Sequence, residues 1–292
     1  MERNNTIIID GKQLANKLNE ETKINVEKLT KTTKNALKLA IVLVGENPAS
    51  EIYVRNKVTA AKTVGIATEI IRFKKEITQK KLMTEIQKLN NYELVSGIIV
   101  QMPLPPQIDI SEIISIIAPD KDVDGFNPIN VGRLYGGYSN ALIPCTAKGC
   151  RDLIKTVESD LSGKKVVIIG RSNIVGRPLA SLLIQEDCTV TLAHSKTLDL
   201  MNYTKNADIV VSAVGKPKFL TKEYFNENAI VIDVGINRSD EDMNSSIVGD
   251  VDFDDVIGHV RAITPVPGGV GPMTVSHLLV NCIETKKRLS YR

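Results

Sequence analysis

The chain has 292 residues, 42% hydrophobic and 24% charged, and 37 basic against 34 acidic side chains give a formal net charge of +3. That length supports one large or two medium domains with a proper core. So small a charge excess argues against nucleic-acid or membrane association driven by bulk charge, and no apolar run approaches the roughly 20 residues of a bilayer span.

The first residues, MERNNTIIIDGK, run straight into a short strand pattern, with no signal-peptide core and no basic amphipathic leader. Four cysteines (Cys145, Cys150, Cys188, Cys282) show no CxxC and no zinc-type pairing, and His194, His259 and His277 lie far from Cys145 and Cys150. We therefore expect reduced, buried thiols, no metal site and a cytoplasmic location.

Residues 11–35 place Leu14, Leu18, Ile24 and Leu29 among charges, as a surface helix does, and Leu39–Val44 reads as a buried strand. Asn47 can cap a helix with Pro48 in its first position, running to about Val64 and stopped by Gly65. Tyr53 and Lys57 stand four residues apart on that helix and share a face. A phenol beside an amine is an acid–base pair where the amine is desolvated, since burial lowers a lysine's pKa. The same spacing also describes an ordinary solvated face. The short-chain dehydrogenases place such a pair after their glycine loop; here it comes more than a hundred residues before, which disfavours that family.

Ala67–Phe73 is a second strand, Gln79–Leu89 a helix and Gly97–Val100 another buried strand. Pro103, Pro105 and Pro106 cannot continue a ladder, so Gln101 stands at a strand's carboxyl end, where open α/β sheets place ligand contacts. A rigid loop with an exposed amide is the alternative. Ile108–Ile117 is helix-like. Asp120, Asp122 and Asp124 then crowd together, either as a self-stabilised turn or to present one carboxylate to a row of N–H donors. Residues 125–147 show no clear period and read as a connection between domains.

A helix near Lys148–Val157 opens the second half. Val166–Ile169 is an unbroken apolar run that stops at Gly170, as a strand buried on both faces would. From Ile174, apolar residues recur at helical spacing through Leu179, Leu182 and Leu183, with Pro178 tolerated in the first turn. Strand, glycine turn and helix form the setting of a phosphate loop, because a helix start offers unpaired N–H groups and partial positive charge. A GxGxxG pattern would need glycine at position 172, where Ser172 stands between Gly170 and Gly176. On spacing alone a dinucleotide site and a plain glycine turn remain level.

Cys188–Ala193 is the next strand. An NAD-specific site would place an acid at its carboxyl end, but Asp187 lies at the wrong end. His194, Ser195, Lys196 and Thr197 stand there instead, with Arg171 in the glycine loop, so NADP is expected over NAD. Strands follow at Ile209–Ala213 and Ile230–Val234. The alternation predicts an α/β protein whose second domain is a Rossmann-type doubly wound parallel sheet. Residues 264–274 (TPVPGGVGPMT) are too rich in glycine and proline for a regular element, and Thr274 can cap a final helix through about Lys287. Such a loop lets backbone approach a flat ligand closely; a plain linker is the alternative.

Taken together, YVRNK (53–57), VQMPLP (100–105), KDVDGFNP (121–128), GRSNIVGRP (170–178), AHSKT (193–197), DVGIN (233–237), GDVDF (249–253) and TPVPGGVGPMT (264–274) closely resemble the bifunctional methylenetetrahydrofolate dehydrogenase/methenyltetrahydrofolate cyclohydrolase family. The resemblance covers nearly the whole chain. It implies a folate-binding catalytic domain over residues 1–124, completed by the C-terminal helix 274–292, an NADP-binding domain over 145–270, and a cleft between them. It also implies a homodimer acting on tetrahydrofolate substrates. Lys57 resembles the catalytic lysine, Tyr53 the tyrosine that stacks on the pterin, Gln101 the glutamine that orients the lysine, and Asp124 the carboxylate that grips pterin N–H donors. Pro267, Gly268 and Gly269 resemble a segment lining the folate. Gly170, Arg171, Ser172, Ile174, Val175, His194, Ser195 and Ile236 resemble the NADP contacts. The family carries serine at the second glycine position, so Ser172 is no defect; Ala147, where the family has proline, is a departure. Two rival readings are a shikimate-type two-domain dehydrogenase and a non-enzymatic NADP-binding scaffold. A substrate panel separates the first, and cofactor binding without folate turnover would mark the second.

Overall fold

A computed structural model of the chain describes residues 6–33, 36–238 and 247–290. In chain order these form β1 (Ile7–Ile8), α1 (Gly11–Thr33), β2 (Lys38–Val44), α2 (Pro48–Thr63), β3 (Ala67–Phe73), α3 (Gln79–Asn91), β4 (Gly97–Val100), α4 (Ile110–Ile116), α5 (Pro128–Tyr135) and α6 (Cys145–Lys155). There follow β5 (Lys165–Ile169), α7 (Gly176–Ile184), β6 (Thr189–Ala193), α8 (Leu200–Lys205), β7 (Ile209–Ser212), β8 (Ile230–Asp233), β9 (Asn237–Arg238), β10 (Ile247–Val248), α9 (Phe253–Val256), β11 (Ala262–Ile263) and α10 (Val270–Ser290). The chain divides into two compact units, one built from the residues up to Ala15 with Thr146–Thr274, the other from Asn16–Cys145 with Val275 onward.

The second of these units is built on a parallel sheet in the order β3-β2-β4. The central strand β2 alternates its two faces as a doubly covered strand must. Leu39, Ile41 and Leu43 pack with Val54 and Ala61 of α2 and with Leu278, Leu279 and Ile283 of α10. Ala40, Val42 and Val44 pack with Leu82 and Ile86 of α3 and Ile113 of α4. Each fully buried Leu or Ile contributes about 1.5–3 kcal/mol. Helix α2 starts as its sequence predicts: Asn47 Oδ1 accepts from the N–H groups of Ala49 (3.0 Å) and Ser50 (3.1 Å), and Pro48 takes the first position. It gives way at Gly65, whose φ of +83° suits glycine.

The other unit carries a parallel sheet in the order β1-β11-β8-β7-β5-β6. From β5 the chain goes to β6 on one side and then returns to β7 on the other, so the strand order reverses between β5 and β7. In open α/β sheets ligands bind outside the carboxyl ends of strands at such a point. Val167, Ile169, Val210, Val231 and Ile263 form one face of its core with Leu220, Phe225 and Val256.

Several elements differ from the sequence expectations. The span 125–147, expected as bare connection, contains α5, capped by Asn127 Oδ1 accepting from Ile129 N–H at 2.9 Å. Helix α6 starts at Cys145, not near Lys148, and Ala147 is fully buried in its first turn. Helix α10 starts at Val270, so Thr274 is no cap: its hydroxyl donates back to the Val270 carbonyl at 3.3 Å. Pro272 fits there because a first turn needs no N–H at that place. Strand β1 pairs with β11, a partner of which the sequence carries no sign. No helix among the described residues is long and apolar enough to cross a membrane.

Candidate active site

Helix α2 presents Tyr53 and Lys57 one turn apart. Lys57 Nζ donates to Gln101 Oε1 at 3.0 Å. Gln101 follows β4 and is buried, and its Nε2 donates to the Met102 carbonyl at 2.7 Å. That second bond fixes which way the amide points, because only its nitrogen can donate. The oxygen is therefore held toward Lys57. Ser50 Oγ donates to the same carbonyl at 3.2 Å and braces the turn from α2. Tyr53 is 41% exposed, leaving its ring available to a flat ligand.

The three crowded acids divide their work. Asp122 is the turn builder: its carboxylate accepts from the N–H groups of Gly125 (3.1 Å), Phe126 (3.2 Å) and Asn127 (2.8 Å) and from Asn130 Nδ2 (2.9 Å). Burial pushes its pKa up to about 6 against those donors. Asp120 stands 4.0 Å from Arg133. Asp124 is half-buried, and no hydrogen bond from a described residue reaches its carboxylate. Burial raises its pKa and the positive charge of Lys57 opposes that rise. So Lys57, Gln101 and Asp124 form one cluster, with a carboxylate left to accept N–H groups. Asn281, on α10, was not singled out from sequence; its Nδ2 donates to the carbonyls of Val123 (2.8 Å) and Ile143 (3.0 Å), steadying the residue before Asp124.

In the larger sheet, Gly170 follows β5 and its N–H donates to the Ala193 carbonyl at 2.9 Å. Its φ is +127°, and a Cβ there would lie 2.4 Å from the Ala213 carbonyl oxygen. A Cβ on Gly176 would lie 1.9 Å from the Gly170 carbonyl oxygen, so the start of α7 packs directly on the turn. Ser172 Oγ accepts from Val175 N–H (3.1 Å) and Gly176 N–H (3.4 Å). This is why serine serves where a fingerprint glycine would stand: its hydroxyl shapes the turn. Arg171, Ser172 and Ile174 lie exposed in this loop, and Val175 half-buried.

Register puts Ile169 level with Ala193, so the loop after β6 lies beside the Gly170 turn. In it, Thr197 Oγ1 accepts from His194 N–H at 2.8 Å and His194 Nδ1 accepts from Lys196 N–H at 3.1 Å. Ser195 and Lys196 are exposed. Ile236, after β8, is 52% exposed. The Pro267–Gly269 segment joins β11 to α10 within the larger-sheet unit, where the Gly268 carbonyl accepts from Lys12 N–H at 2.9 Å. Neither Gly170 nor Gly176 leaves room for a Cβ, so the turn packs tightly against the Ala213 carbonyl and its own helix start. Arg171, Ser172 and Ile174 stay exposed at the carboxyl end of β5, an arrangement that fits a dinucleotide.

A doubly wound sheet with a phosphate-type turn in one unit and a braced lysine on the α/β sheet of the other define a dinucleotide-dependent two-domain enzyme. Residues 9–124 match the family model "Tetrahydrofolate dehydrogenase/cyclohydrolase, catalytic domain", and 144–290 match its "NAD(P)-binding domain". The chain belongs to the tetrahydrofolate dehydrogenase/cyclohydrolase family and is a bifunctional methylenetetrahydrofolate dehydrogenase and methenyltetrahydrofolate cyclohydrolase. It is 53% identical over 284 residues to the bifunctional protein FolD of Rickettsia peacockii (strain Rustic), covering 97% of this chain and 98% of that one. A crystal structure of FolD from Campylobacter jejuni superimposes with a TM-score of 0.93 at 45% identity, covering 97% and 99% of the two chains. The Trypanosoma brucei enzyme, solved with NADP and an inhibitor, gives 0.92 at 38% identity, covering 98% and 99%.

Proposed function

We propose that Lys57 moves the protons of the cyclohydrolase step, held by Gln101, with Tyr53 stacking on the pterin and Asp124 accepting its N–H groups. The observation that carries this is the 3.0 Å bond from Lys57 Nζ to an amide oxygen whose direction is fixed by Met102. The substrate is 5,10-methylenetetrahydrofolate. Its oxidation to the methenyl cation needs positioning more than proton transfer. Bound NADP⁺ supplies the acceptor for the hydride lost in that step. Water then adds to the cationic carbon and gives up one proton. As the ring opens to 10-formyltetrahydrofolate, the new hydroxyl loses its proton to solvent while the ring nitrogen gains one, so one proton is released overall. Lys57 Nζ is the group assigned to take the first of these protons and pass it to the ring nitrogen. Pro267, Gly268 and Gly269 are also assigned to folate binding, as a glycine-rich segment whose backbone can be approached closely.

The folate is assigned to the domain of residues 1–124 with the closing helix 274–292, and NADP to residues 145–270. Preference for NADP over NAD is supported by Arg171, Ser195 and Lys196 and by the lack of an acid directly after β6. The ratio of kcat/KM for NADP⁺ over NAD⁺ is expected to favour NADP⁺. Arg171→Ala with Ser195→Ala is expected to lower that ratio about tenfold, the scale of one charge-assisted hydrogen bond. A wild-type preference for NAD⁺ would overturn the reading. The enzyme is further read as a cytoplasmic homodimer; four buried thiols suit a reducing compartment. Light scattering on the eluting protein should give twice the chain mass.

A further inference from the structure

The carboxyl edge of the larger sheet holds two buried aspartates that no step above uses. Asp233, the last residue of β8, is 3% exposed and Asp250 is fully buried. Asp233 Oδ1 accepts from the N–H groups of Gly235 (2.9 Å) and Asp250 (3.0 Å), and Oδ2 from that of Val251 (2.8 Å). Asp250 in turn accepts on Oδ2 from Ser212 Oγ (3.0 Å) and Val214 N–H (2.8 Å), and on Oδ1 from Lys216 N–H (3.0 Å) and Asn237 Nδ2 (3.0 Å). One aspartate seats the backbone of the other, and the second gathers the loop after β7. Glycines make room for this: a Cβ on Gly235 would lie 2.3 Å from Asp250 Oδ1, and one on Gly249 1.9 Å from Asp233 Oδ2.

The loop so gathered is the one against which the glycine turn rests. Its first residue, Ala213, donates its N–H to the Ile169 carbonyl at 2.8 Å, and its own carbonyl is the atom that a Cβ on Gly170 would strike. Burying a carboxylate is costly unless its donors are in place. Four donors on two oxygens meet that need, and an asparagine, with one acceptor atom, could not. We infer that Asp250, seated by Asp233, is a positioning residue for the dinucleotide: it fixes the 213–216 loop at the switch point and thereby the Gly170 turn. The inference rests on the reading that the cofactor lies over that turn.

The test is steady-state kinetics on Asp250→Asn, Asn237→Ala and Ser212→Ala, the last two removing one donor each in case the first fails to fold. Methenyltetrahydrofolate hydrolysis, followed without nucleotide, reports the other site in the same samples. The KM for NADP⁺ is expected to rise about tenfold in Asp250→Asn and roughly three- to fivefold in the milder variants, one hydrogen bond's worth each. The ratio of hydrolysis to dehydrogenation at low NADP⁺ rises with it. Loss of both activities in equal proportion, or an unchanged KM for NADP⁺ in folded Asn237→Ala and Ser212→Ala, overturns the inference. Gly170→Ala separates the underlying reading. If that variant also leaves the KM for NADP⁺ unchanged, the cofactor is misplaced; if it alone raises the KM, only the role of the aspartates falls.

Discussion

Replacing Lys57 with methionine is expected to slow methenyltetrahydrofolate hydrolysis by about a hundred- to ten-thousandfold, the usual yield of a positioned acid–base group. Methionine keeps the length and apolar stem but has no proton to move. Gln101 keeps its bond to Met102 and loses only its outward partner, so the neighbouring backbone stays in place. NADP⁺ affinity is expected to stay at the wild-type value, because the groups assigned to the nucleotide belong to the other compact unit. The measurements are loss of methenyl absorbance without nucleotide and isothermal titration of NADP⁺. A variant that still hydrolyses at the wild-type rate removes Lys57 from the mechanism.

Asp124→Ala is expected to have the second-largest effect, raising the KM for methylenetetrahydrofolate roughly ten- to a hundredfold. Hydrogen bonds to a charged acceptor are worth about 1.5–3 kcal/mol each, and Asp124 meets no described donor of its own. The turn should survive, since Asp122 holds the N–H groups of Gly125, Phe126 and Asn127. The KM for NADP⁺ should barely move. Equal rises in both constants, with the melting temperature intact, would show that Asp124 does not grip the pterin.

What could be read in advance followed local chemistry. The Asn47–Pro48 start of α2 and the strand, turn and helix around Gly170 each carry their signal within a few residues, and both are present. Helix α5 carried the same kind of cap, Asn127 before Pro128, but its eight residues include Gly132 and are too short to show a period. Helix α10 was started too late because Gly271 and Pro272 look like loop until one notes that a first turn tolerates proline. Which of Asp120, Asp122 and Asp124 would build the turn depended on burial, which no spacing reveals. The pairing of β1 with β11 joins opposite ends of the chain and has no local trace. Asp233 and Asp250 left a faint one, an Asp-Val pair beside glycine in each motif, legible only once their interlock is known.

All four thiols are buried, Cys145 and Cys282 in one compact unit and Cys150 and Cys188 in the other. An alkylating reagent added to the native enzyme must wait for a cysteine's surroundings to open before it can react. Mass spectrometry of the modified peptides would thus clock the breathing of each half separately, and saturating NADP⁺ should slow the labelling of Cys150 and Cys188 more than that of Cys145 and Cys282.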